Sequence, residues 1–80
     1  MASRLAKVRF IADSINATFW GSNTQEQAEI EMIRREFAPY LYDRKPPKKI
    51  LNKLGPIAER LIANTRNVDA DSLASMYEPK

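Results

Sequence analysis

Cysteine and histidine are both absent from this 80-residue chain. Without cysteine there is no disulfide, no thiolate metal site and no thiol nucleophile. Without histidine there is no Ser-His-Asp relay and no imidazole-ligated zinc. Glycine occurs only twice, at Gly21 and Gly55, which excludes a glycine-rich phosphate loop. No apolar run approaches the roughly 20 residues that a membrane-spanning helix needs. The opening Met1-Ala2-Ser3-Arg4 leads into an amphipathic stretch rather than the apolar core of a signal peptide. Strand-like alternation is scarce as well. Its best local case, Lys7-Val8-Arg9-Phe10-Ile11, fits helical spacing better once the surrounding residues are included. These absences point to a small soluble chain, with the cytoplasm as the expected location.

The chain does hold enough apolar side chains to fold. Hydrophobic residues make up 44% of it, which is too many for a fully disordered protein. The length allows one domain, 1–80. At this size folding buries a modest share of the surface, so a homo-oligomer or a larger partner would be a natural source of extra burial.

Apolar spacing predicts an all-α fold: three main helices and a short C-terminal one, packed as a small bundle. The first helix spans 3–20, with Ser3 as N-cap and Leu5, Val8, Ile11, Ala12, Ile15 and Phe19 on one face. Phe10 lies off that stripe, and Gly21 stands where a C-terminal cap belongs. A second helix is expected over 24–38, opened by Ser22 with Gln25 or Thr24 with Gln27 in capping-box spacing. Ala28, Ile30, Ile33, Phe37 and Leu41 would be its apolar side, and Glu31 and Arg35 a surface pair. Pro39 should stop or bend it.

The third helix, 47–65, carries the strongest stripe: Ile50, Leu51, Leu54, Ile57, Ala58, Leu61 and Ile62. Gly55-Pro56 interrupts it without breaking phase, so it should be kinked there or broken in two. Asp69 or Asp71 caps a last helix, 71–77, with Leu73, Met76 and Tyr77 available for packing. Glu78-Pro79-Lys80 is expected to fray.

Charge is distributed unevenly. The net value is only +3, yet 43–53 contains Arg44, Lys45, Lys48, Lys49 and Lys53 against a single acid, a local +4. The rest of the chain sums to −1. Tyr40 and Tyr42 lie just upstream and offer rings for base stacking or for a partner's pockets. Trp20 is a further aromatic anchor candidate beside Phe19. A solvated helix start that keeps the chain soluble is the first reading of these cations, and the fact that lysines at a helix N-terminus oppose the helix dipole adds some weight to a binding surface.

Other motifs carry less. Glu26, Glu29 and Glu31 suit a dipole-favoured first turn better than a metal site. A helix-turn-helix over 47–65 is spoiled by Pro56, and Ile57 to Ile62 has few side chains suited to base edges. The expected function is therefore a non-enzymatic interaction module: an adaptor, inhibitor or assembly subunit that binds another protein. The alternative is a nucleic-acid-binding protein using Arg44 to Lys53, which attracts phosphate without reading sequence. An acidic protein surface would satisfy the same charge. No catalytic residue, cofactor or metal is expected, and no membrane partner. Expected partner-binding residues are Trp20, Tyr40, Tyr42, Arg44, Lys45, Lys48, Lys49 and Lys53.

Overall fold

The computed structural model describes residues 2–13, 24–65 and 69–78. Among these described residues four α-helices follow one another: α1 (Arg4–Asp13), α2 (Thr24–Phe37), α3 (Lys48–Asn64) and α4 (Ala70–Ser75). No strand occurs among the described residues. Expectations for Ile15, Phe19, Trp20, Gly21 and Ser22 fall outside the described residues.

Ser3 caps α1 as its sequence position suggests. Its Oγ accepts the Ala6 N–H at 3.2 Å and its carbonyl accepts the Lys7 N–H at 3.0 Å. Ala6, Val8, Phe10 and Ile11 of this helix are buried. At 100° per residue, Ala6 and Val8 stand roughly 200° apart around the axis, so the buried surface is not one stripe. The reason is position: α1 packs against α2, α3 and α4. Phe10, off the predicted stripe, faces α4 and meets the Tyr77 ring at 5.6 Å.

α2 buries Ile30, Ile33 and Phe37, with Met32 and Leu41 partly covered. Ala28, expected on this face, is exposed. Its small side chain loses little by that, and Ile30 and Ile33 already fill the space. Pro39 ends the α-helix as expected. Ala38–Tyr40 forms a 3-10 turn with proline in its first positions.

α3 continues through Gly55-Pro56 as one helix, so the two-helix alternative is not realised. Pro56 cannot donate to the Asn52 carbonyl. Both residues are exposed, which leaves that carbonyl to water. Gly55 is buried and has a separate role: a Cβ there would run into the Arg4 side chain, which crosses this point to reach Glu59 at 2.9 Å. The fully covered Leu54 and Ala58, with Leu61 and Ile62, carry the predicted stripe into the core. Each large side chain so buried contributes about 1.5–3 kcal/mol of transfer free energy.

Two ion pairs mark the register of α2 against α3: Glu29 with Arg60, and Glu36 with Lys53 at 2.6 Å. Each partner moves seven residues between the pairs, in opposite chain directions, so the helices run antiparallel. On the surface of α2, Glu31 pairs with Arg34 at 3.3 Å rather than with Arg35.

α4 buries Ala70 and Ala74, and Leu73 and Tyr77 pack partly against the core. Met76, expected to pack, is instead 78% exposed. Small alanines let α4 approach α1 closely, which turns the Met76 position outward. Glu78 is held rather than frayed. Its Oε1 accepts the Ser3 backbone N–H at 3.1 Å and also the Ser3 hydroxyl. In a capping box the acid three residues into the helix performs this task. Ala6 occupies that position here, and Glu78 substitutes from 75 residues away.

Candidate interaction surface

The basic segment is built on two supports. The first is the loop after the 3-10 turn. The Asp43 N–H donates to the Tyr40 carbonyl at 3.0 Å, and Asp43 Oδ1 accepts the Lys45 N–H at 3.1 Å. Arg9 holds the loop from beneath, its Nη2 donating to the Asp43 carbonyl while Nη1 donates to the Tyr77 carbonyl at 3.2 Å. One guanidinium thus ties α1, this loop and the end of α4 together. Its Nε is buried and finds no acceptor among the described residues. Pro46 is buried and pins the linker, while Arg44 and Lys45 on either side of the bend are exposed.

The second support is the first turns of α3, which present Lys48, Lys49 and Lys53 outward. α3 has Pro47 as N-cap and no side-chain cap. Between the end of α2 with its 3-10 turn and the first turns of α3 lies an open groove of about 260 Å³, lined by Glu36, Tyr40, Pro47, Lys49, Ile50 and Lys53. Tyr40 is half-buried and stands edge-on to Phe37 at 6.3 Å. Its ring forms part of the groove with Pro47 and Ile50.

Three of the eight expected site residues line the groove. Tyr40, Lys49 and Lys53 line it, whereas Arg44 and Lys45 stand on the neighbouring loop. Lys48 is exposed on α3 outside the lining, and Tyr42 projects with 85% exposure. Trp20 lies outside the described residues. Among the described residues Arg44, Lys45, Lys48 and Lys49 form no ion pair, while Lys53 is engaged by Glu36.

Three features were not found from sequence. Glu36 enters the groove through the α2–α3 register, which no local signal encodes. Arg9 looks like an ordinary surface cation until its two carbonyl partners are known. Met76 joins Tyr42 as an exposed large apolar side chain, and Arg9 brings the chain beside both to one corner. The Tyr77 phenol at that corner donates to Asp13 Oδ2 at 2.7 Å. That hydrogen bond raises the phenol above its ordinary pKa, with partial burial and the nearby Asp13 and Tyr42 charges adding to it.

No cluster of three potential metal ligands occurs among the described residues. Among them, no helix is long and apolar enough to cross a membrane. Comparison with protein-family models, with curated proteins and with solved structures finds no match.

Proposed function

We propose that this chain is a non-enzymatic interaction module that binds another protein through the surface from Tyr40 to Lys53. One observation carries the reading: a groove with an apolar floor of Tyr40, Pro47 and Ile50 is lined by Lys49, which has no ion-pair partner among the described residues, and by Lys53, with exposed Arg44, Lys45 and Lys48 next to it in the chain. Elsewhere Arg4, Arg34 and Arg60 are each met by a glutamate, while Arg35 and Lys7 have no ion pair among the described residues but stand apart from the apolar groove lining. A partner side chain set in the groove, with acids nearby, would satisfy both parts of the surface. At about 260 Å³ the groove falls below the ~300–1,000 Å³ typical of cofactor and small-ligand pockets, which suits one or two side chains.

A nucleic-acid reading has its own support in Tyr42, whose exposed ring stands beside Arg44 and Lys45 and offers a stacking face. One experiment separates the two. The wild type and a Lys48→Gln, Lys49→Gln, Lys53→Gln variant are used as bait in native lysate, with and without nuclease. The protein-binding reading expects nuclease-resistant capture that the triple variant loses. Titration against duplex and single-stranded DNA at two salt concentrations forms the other arm. Nuclease-sensitive capture, with a salt slope reduced by roughly 0.7–0.9 per lost phosphate contact, would instead establish the polyanion reading.

A further inference from the structure

Resting on that protein-binding reading, we infer that the groove takes a short acidic segment of its partner, and that Glu36 holds the place of the segment's carboxylate. Glu36 Oε1 sits 2.6 Å from Lys53 Nζ, and both side chains line the groove. The incoming carboxylate replaces Glu36 at Lys53, while an adjacent apolar side chain lies over Tyr40, Pro47 and Ile50.

Four observations converge on this occupant. Lys53 is 56% exposed against 28% for Glu36, so the ammonium faces solvent more than its partner does. An ammonium carries three donors, and Glu36 takes one of them. Exposed lysine–glutamate pairs are weak, which makes exchange of one carboxylate for another feasible. Lys49 lies one helical turn from Lys53, lines the same groove and has no ion-pair partner among the described residues, so a second acid can be met beside the first. The uncapped start of α3 adds its partial positive charge to the same end of the groove.

The probe is a short fluorescein-labelled polyglutamate peptide carrying one central leucine, followed by fluorescence anisotropy. Wild type should bind it, and changing the leucine to serine should weaken binding. Glu36→Gln should tighten binding about two- to fivefold, the range that release of an exposed pair supplies. Glu36→Ala should act with the same sign. Lys53→Met should weaken binding, and adding Glu36→Gln to it should restore nothing, because Glu36 acts through Lys53. A purely structural ion pair predicts that Glu36→Gln and Lys53→Met weaken binding alike.

Glu59→Gln removes the same charge from the Arg4 pair, whose residues do not line the groove, and should leave the affinity unchanged. Equal tightening by Glu36→Gln and Glu59→Gln would reduce the effect to net charge and overturn the proposal. So would unchanged or weaker binding by a Glu36→Gln variant with wild-type helical circular dichroism, or no binding by either protein. Those failures are separable from failure of the broader reading, which shows itself as lysate capture that the triple glutamine variant does not alter.

Discussion

The seam between α2 and α3 and the seam between α1 and α4 are held in different ways. Along the first, two helices of 14 and 17 residues lie antiparallel, with apolar stripes inside and two glutamate–cation pairs seven residues apart outside. Along the second, a six-residue helix lies against α1 with Ala70 and Ala74 buried, and individual polar contacts fasten its end. Arg9 donates to the Tyr77 carbonyl, Tyr77 donates to Asp13 and stacks near Phe10, and Glu78 accepts from Ser3. A helix of six residues is far too short to persist in water alone. α2 and α3 each pack chiefly against α1, and their mutual seam adds the two ion pairs, whereas α4 packs on α1 and is tied there by named side chains. The candidate groove stands on the long seam, and the exposed corner of Tyr42 and Met76 stands on the tethered one.

Phe37→Ala should give the largest effect, because its ring is fully buried at the end of α2. Loss of a buried phenylalanine costs about 3–5 kcal/mol, which is much of the total stability expected of so small a chain. Chemical denaturation should show a strongly lowered midpoint. A loss below about 1 kcal/mol would mean that the covered end of α2 contributes little to the stability.

Arg9→Met keeps the aliphatic stem and removes the donors to Asp43 and Tyr77. Each of the two lost hydrogen bonds, one exposed and one part-buried, costs about 0.5–1.5 kcal/mol, partly offset by removing the unpaired Nε. A net destabilisation of about 1–2 kcal/mol is expected. Hydrogen exchange should locate it: amides of 70–77 should exchange faster while those of α2 and α3 keep their protection. Uniform acceleration across all helices would contradict the distinction between the seams.

Tyr77→Phe should cost about 1 kcal/mol, since it deletes one hydrogen bond and keeps the ring against Phe10. The raised phenol pKa gives this contact an alkaline signature. Its contribution is fully present below the ordinary value of 10.0 and is lost as pH rises through the higher folded value. Stability measured against pH should therefore fall less steeply on the alkaline limb of the variant than of wild type.

Glu78→Gln should give the smallest change at neutral pH, because the carboxylate is exposed. The hydrogen bonds from Ser3 lower the Glu78 pKa below 4.5. Its contribution is present above 4.5 and is lost as pH falls through the lower folded value. The wild-type advantage over the glutamine variant should shrink across that acid window. An advantage that stays constant down through the acid limb would show that the Ser3–Glu78 tether is absent in solution.

Much of the long seam was legible in advance. The spacing of Ile30, Ile33 and Phe37, and of Leu54, Ala58, Leu61 and Ile62, is a local property of each helix, and those residues are buried. The short seam was not. Ala70 and Ala74 carry too little apolar surface to mark a buried face, so Met76 looked the better core residue, and Glu78 had no nearby partner to suggest anything but fraying. The groove was half legible. Its cations and Tyr40 stood out as a cluster, but the charge state of the cluster did not, because Glu36 reaches Lys53 across two helices.

Backbone periodicity, Ser3 as a cap, Pro39 as a stop and the basic run from Arg44 to Lys53 are consequences of residues within a few positions of one another. Sequence alone determines them, because helix hydrogen bonding and proline sterics act over about one turn. Which face of α1 is covered, which glutamate meets which cation, and where Tyr42 and Met76 come to the surface were decided only by tertiary structure. Those outcomes depend on how helices distant in the chain cross and register. That geometry is set by the packing of the whole core, and no single segment contains it.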